Sequence, residues 1–176
     1  MANREALREL QSRLASRLQA ARTEGVQAAW LAVEAAGRNY LFPLSQAGEI
    51  FPYAATQAVP YTQGWFLGVA NLRGGLYGVV DLASYVSGQA PAQRSDAGRA
   101  ESRLVALNAL LEVNCALLID RLAGLRSLEA FTSSSVAPAG APDYFGSGYT
   151  DAGGAYWQEI NLQALSQQQQ FLSISA

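Results

Sequence analysis

The chain has no histidine and a single cysteine, Cys115. Without histidine, neither a Ser-His-Asp nor a Cys-His arrangement can be assembled. One cysteine cannot form an intramolecular disulfide, and a zinc site would need carboxylates for nearly all of its ligands. Charged residues make up only 15% of the chain, and 12 Lys+Arg against 14 Asp+Glu leave a net charge of −2. No basic field is available to attract nucleic acid or an anionic membrane. No apolar run reaches the roughly 18 residues of a membrane span. The opening "MANREALRELQSRLASRLQAARTEG" is too charged for a signal peptide and lacks its apolar stretch. These absences predict a cytoplasmic protein with no catalytic residues, no metal, no cofactor, no nucleic-acid partner and no direct membrane insertion.

Half of the 176 residues are hydrophobic, enough for one domain or for two small units sharing a core. Leu7, Leu10, Leu14, Leu18 and Ala21 recur at steps of three and four, with arginines on the other faces, so residues 1–25 read as an amphipathic helix ending near Gly25. Its leucines are expected to pack on the rest of the chain or on a partner. The period then becomes strand-like. "VQAAWLAVEAAGRNYLFPL" predicts two strands around "AAGRN". "AGEIFPYAATQAVPYTQG" reads mostly as loop. "WFLGVANLR" and "LYGVVDL" predict a hairpin turning at Gly74-Gly75. "ASYVSG" fits one helical turn, and "QAPAQRSDAGRAE" a surface connection. "SRLVALNA", "EVNCALLIDRL", "GLRSLEAF" and "AYWQEINL" read as strands. "TSSSVAPAGAPDYFGSGYTDAGG" reads as a long, partly mobile loop, and "QALSQQQQFLS" as a terminal helix. A weak echo places Pro43, Asp81, Asp120 and Asn161 after similar apolar runs at intervals of 38, 39 and 41 residues. Propeller blades would need more strands than this, so two small barrels fit the spacing better.

Few residues carry candidate chemistry. Cys115 lies in the apolar "VNCALLID" and reads as a small buried hydrophobe. Asp81 and Asp120 each end an apolar run, and read as turn-forming aspartates rather than a carboxylate pair. "GGLYG" lacks the Lys and Ser/Thr of a phosphate loop. Arg73 is the unusual residue, one permanent charge inside "GVANLRGGLYGVVDL". At a hairpin end its guanidinium reaches either solvent or a carboxylate, and its planar fork suits recognition of a partner.

That same stretch resembles the signature hairpin of CheW-like chemotaxis adaptor domains. "NYLFPLSQAGEI" and "AVPYTQGWFLG" before it, and "SRLVALNALLEVNCALLIDRLAGLRSL" and "AYWQEINLQAL" after it, are also similar to that family, from about Val26 to Leu165. The resemblance implies a mainly β chain of two SH3-like five-stranded barrels, with N- and C-terminal helices. The domain would span 26–176, the first barrel about 26–90 and the second about 99–165. It implies a non-catalytic adaptor between a chemoreceptor's cytoplasmic tip and the regulatory domain of a CheA-type histidine kinase, in receptor arrays at the inner membrane. Arg73 and Glu49 carry over as partner-facing residues, with Asn71, Leu72 and Gly74 shaping the hairpin beside them. Gly75, Asp81 and Asp120 keep the structural turn roles that the residues themselves suggest. Gly78 stands where the family usually has proline, which is expected to loosen the returning strand. With the long N-terminal helix, these departures look more like PilI-type adaptors of type IV pilus twitching systems than flagellar ones.

The residues alone leave a second class open, a stand-alone barrel that binds some other protein. Neither class needs chemistry. Incubated with an autophosphorylated CheA-type kinase, the chain is expected to take up no phosphate. A stoichiometric labelled band at its mass would contradict this.

Overall fold

The computed structural model describes residues 5–16 and 28–176. Helix α1 (5–16) exposes every side chain, with Leu7 at 59%, Leu10 at 58% and Leu14 at 53%. These three therefore do not pack on the rest of the chain, one of the two expected places for the stripe. Leu18 and the helix end near Gly25 lie outside the described residues.

From Ala28 the chain is mainly β. Strands β1 (Ala28–Ala35) and β2 (Arg38–Pro43) turn at Ala36 and Gly37, with φ of 49° and 72°, the paired positive values that match strand twist. Strand β3 (Ala47–Pro52) runs through a segment expected to be loop. It is an edge strand with Pro52 as its last residue, where a missing N–H is tolerated. Strands β4 (Phe66–Leu72) and β5 (Gly75–Asp81) form the expected hairpin, followed by the short helix α2 (Leu82–Ser87). Helix α3 (Asp96–Glu101), capped by Ser95, occupies the presumed surface connection. Strands β6 (Arg103–Leu107), β7 (Cys115–Ile119) and β8 (Arg121–Ser127) follow. The presumed long loop contains β9 (Phe131–Ser135) and β10 (Phe145–Asp151), and β11 (Tyr156–Ile160) completes the strands. The terminal helix is two pieces, α4 (Leu162–Gln167) and α5 (Gln169–Leu172).

The strands form a six-stranded sheet, β8-β1-β2-β11-β10-β9, and a five-stranded sheet, β3-β6-β7-β5-β4. Two closed five-stranded barrels are not what the chain adopts. Each sheet curls, but among the described residues no continuous ladder closes it. In the larger sheet the two edges, β8 and β9, are successive pieces of chain joined by Leu128–Ala130. The pairings make them run in the same direction. One bent segment thus leaves β1 and reaches β10, and Trp30 of β1 meets Phe131 of β9 at 5.7 Å between ring centroids. In the smaller sheet, the edge strand β4 meets the chain beyond β3 at the single bridge Gln57–Val69. Gly68 sits there with φ 125°, and a Cβ would fall 2.1 Å from the Gln57 carbonyl oxygen. Any side chain at 68 would push this seam open.

The two sheets also interleave in sequence. The larger takes 28–43 and 121–160, the smaller 47–119, so neither follows the expected division at 26–90 and 99–165. The Pro43, Asp81, Asp120 and Asn161 echo has a structural source: these residues close or follow β2, β5, β7 and β11. Those four strands form the two parallel pairs, β2–β11 and β5–β7.

Strand alternation feeds three apolar layers. Leu104, Ala106, Ala116, Leu118 and Val79 fill the curl of the smaller sheet together with Phe51 and Leu72. Trp30, Ala32, Leu41 and Trp157 fill the curl of the larger. The opposite faces, including Leu31, Val33, Phe42, Val105, Leu117 and Ile119, meet in a shared layer between the sheets, topped by Leu82, Leu162 and Leu165. Full burial of each such side chain is worth about 1.5–3 kcal/mol.

One guanidinium ties the layers together. Strands β5 and β7 are parallel neighbours, so the carboxylates that follow them, Asp81 and Asp120, emerge at one end. Arg94 pairs with Asp81 at 3.1 Å and with Asp120 at 2.7 Å, its own side chain only 13% exposed. Asp120 also accepts the Ala36 N–H of the β1–β2 turn at 2.7 Å, joining the larger sheet to the smaller. Asp81 caps α2 through the Ser84 N–H. The expected local turn bond holds for Asp81, but Asp120 bonds across the sheets, and both share an arginine that sequence spacing did not point to. Replacing Arg94 by Met leaves the buried Asp81 and the partly exposed Asp120 without their shared cation. A loss of about 3 kcal/mol, and a Tm lower by roughly 6–12 °C, is expected in thermal unfolding. Cys115 is buried as expected, and burial pushes its thiol pKa up to about 12. The unfolded thiol ionises near pH 8.5, so stability falls as pH rises above about 8.5 and is untouched by this group below it. A thiol reagent at pH 8 is expected to label Cys115 only in denaturant; prompt native labelling would contradict the burial.

Candidate functional site

The hairpin does not turn at Gly74-Gly75. The two positive φ values belong to Arg73 (49°) and Gly74 (81°), while Gly75 is the first residue of β5 and pairs with Leu72. A non-glycine residue in this left-handed region is uncommon, and Asn71 supports it by accepting the Gly74 N–H at 3.0 Å. Leu72 is buried at 5% exposure within the core of the smaller sheet. The turn is thus anchored from below by Leu72 and braced from the side by Asn71. Arg73 is held at the tip with 77% of its side chain exposed.

The guanidinium of Arg73 forms an ion pair with Glu49 of β3. The register of β3 on β6 shifts between Ala47 and Ile50, a bulge that re-aims side chains. Its effect is visible in exposure: Glu49 and Ile50 are both outward, and Phe51 is buried. Gly48 permits the bulge, since a Cβ there would lie 2.8 Å from the Leu107 carbonyl oxygen. The pair spans the two edge strands of the smaller sheet, on a surface where water screens it. A pair this exposed contributes about 0–1 kcal/mol to stability. Its carboxylate and guanidinium are both accessible to solvent.

Apolar side chains accompany the pair. Ile50 is 38% exposed and Leu76, opposite Asn71 in the hairpin, is 63% exposed. Neither was singled out from the sequence, where each is one more aliphatic in a strand. Two residues on from Leu76 along β5, and on the same face, Gly78 accommodates the ring of Phe66, which a Cβ would approach to 3.0 Å. The glycine therefore lets an aromatic ring pack closely on the strand. A cleft of about 160 Å³ lies beside it, bounded by Val80, Cys115, Phe171 and Ile174. The C-terminal segment forms its rim, held by the Gln63 N–H to Ile174 O bond at 2.8 Å and by Phe171 stacked on Trp65. Among the described residues, no three Asp, Glu or Cys side chains converge as metal ligands, and no helix is long and apolar enough to cross a membrane. Of the expected site residues, Arg73 and Glu49 come together, Asn71, Leu72 and Gly74 build the turn beneath them, and Asp81 and Asp120 meet elsewhere on Arg94.

Known proteins share this architecture and sequence. Protein PilI of Pseudomonas aeruginosa is 27% identical over 143 residues, covering 79% of this chain and 75% of that protein. The crystal structure of the scaffolding protein TtCheW from Thermoanaerobacter tengcongensis superposes with a TM-score of 0.60. It covers 76% of this chain and 88% of TtCheW at 15% identity, a likeness of fold. The CheW-like domain matches residues 29–170. CheW-like domains generally bind CheA and chemoreceptors, and their scaffolding proteins are non-catalytic. With that match spanning most of its length, over two curled sheets and an exposed signature hairpin, the chain belongs to the CheW-like family of chemosensory scaffolds.

Proposed function

We propose that the chain couples the cytoplasmic tip of a chemoreceptor to the regulatory domain of a CheA-type histidine kinase in a type IV pilus chemosensory array. The pilus assignment rests on the similarity to Protein PilI. The observation that carries the coupling role is the Arg73–Glu49 pair, held outward by a strained turn on one side and a bulge on the other. A charged pair that adds little to stability, yet is positioned by two irregular backbone features, serves recognition better than folding. Ile50 and Leu76 supply apolar contact beside it, and the polar fork of Arg73 sets the partner's orientation.

Arg73→Glu is expected to alter stability by no more than about 0.5 kcal/mol and to weaken binding to the kinase domain or the receptor-tip hairpin at least about thirtyfold. The charge swap Arg73→Glu with Glu49→Arg rebuilds the internal pair without restoring the partner contact, so binding should remain lost. Unchanged affinity of the single variant for both partners would remove Arg73 from the interface. Recovery in the swapped protein would mean the pair only fastens β3 to the hairpin.

A further inference from the structure

Far along the sequence from the signature hairpin, at the parallel seam between β2 and β11, the larger sheet has a cavity of about 400 Å³. Its size falls within the range of small-molecule sites, about 300–1,000 Å³. Tyr40 and Gln158 are the deep residues, at 3% and 5% exposure, and Tyr156 and Phe145 add aromatic surface.

The aromatic wall is pre-set. Gly148 leaves room for the Tyr156 ring, whose hydroxyl would lie 2.1 Å from a Cβ there. That hydroxyl donates to Gln158 Oε1 at 3.0 Å. The Gln158 amide nitrogen in turn donates to the carbonyls of Gly146 and Glu159 at 2.8 and 2.9 Å. Tyr156 is thereby fixed through its polar end, leaving ring surface as its contribution to the cavity. Fixing a wall in advance lowers the ordering cost of binding.

Arg38, exposed at the start of β2, is the one charged residue lining this space. Among the described residues no carboxylate lies within ion-pair distance of it, whereas Arg73, Arg94 and Arg121 are all paired. Burial raises the Tyr40 hydroxyl pKa, and the charge of Arg38 opposes that rise. A fixed aromatic surface with one unpaired guanidinium selects an anion that carries a flat apolar body. The guanidinium fork is matched by a carboxylate.

We propose that this cavity binds a free monocarboxylate with a flat apolar body, its carboxylate on Arg38 and its body against Tyr156 and Phe145. The site is separate from the residues assigned to kinase and receptor contact, so its failure leaves that reading intact. The test is an amide NMR titration of the isotope-labelled full chain with phenylacetate. Benzylamine (the same ring with the opposite charge) and the peptide acetyl-glycyl-phenylalanine serve as comparisons. Phenylacetate should shift residues 37–40, 145–148 and 156–158 saturably, benzylamine should not, and Arg38→Met should weaken phenylacetate at least about tenfold. Arg38 is exposed, so that variant keeps its fold, which the unchanged spectrum elsewhere verifies. Equal shifts by benzylamine, insensitivity to Arg38→Met, or no saturable shift would overturn the proposal. Binding of the peptide without binding of phenylacetate would overturn it too, assigning the site to a polypeptide terminus.

Discussion

Burial of both faces of the central strands is the constraint on which the molecule rests. Strands β6 and β7 send Leu104, Leu118 and Ala116 into one curl and Val105, Leu117 and Ile119 into the layer between the sheets. A strand with one wet face can slip by two residues at modest cost. Here any odd slip exchanges two apolar sets of different shape, and any even slip displaces both from their partners. The register so fixed carries Asp81 and Asp120 to the same end, where Arg94 joins them to the β1–β2 turn. The same register presents the β4–β5 turn and the bulge of β3 on the surface, at the edges of the smaller sheet.

The scaffold shows how an adaptor can be rigid without being polar inside. Among the described residues its least exposed charges meet at Arg94, and the exposed Arg73–Glu49 pair lies on irregular backbone over a well-packed sheet. Packing fixes the position of Arg73 through Leu72, while water keeps its pairing with Glu49 weak. A contact that is precise in place and weak in internal partnership can be handed to another protein at little cost.

Much of this was legible in the chain because apolar alternation is a strong local signal. The β1–β2 hairpin, the β4–β5 hairpin, β6, β7 and β11 all appear where the pattern puts them. Strands β9 and β10 were hidden because Ser133, Ser134 and Ser135 are exposed on an edge, and glycines in β10 make room for the side chains of Glu159 and Tyr156. Nothing in a Ser/Gly-rich run announces that a neighbouring strand supplies its packing. Strand β3 was hidden by Pro52 and by the bulge, which breaks the alternation at Glu49 and Ile50. Of the candidate site, Arg73 stood out in the sequence as a charge in an apolar run. Family resemblance singled out Glu49 and Arg73 separately, but their ion pair depends on a contact between β3 and the β4–β5 turn, and the meeting of Asp81 with Asp120 on a parallel pairing, and no local pattern encodes either.

The interleaving of the sheets sets the order in which the chain can complete itself. Residues 47–119 hold every strand of the smaller sheet, so that unit is whole once β7 has left the ribosome. The larger sheet cannot be: β2 waits for β11, Tyr40 for Gln158, across more than a hundred residues. Such distant closure is slow, because loop entropy is spent before the contact repays it. During that interval the outer face of the smaller sheet, with Val105, Leu117 and Ile119, lies bare, and it is covered only when the two ends of the chain come together over it. Topologically the protein is one sheet inserted within another, and its last strand to be made pairs with its second.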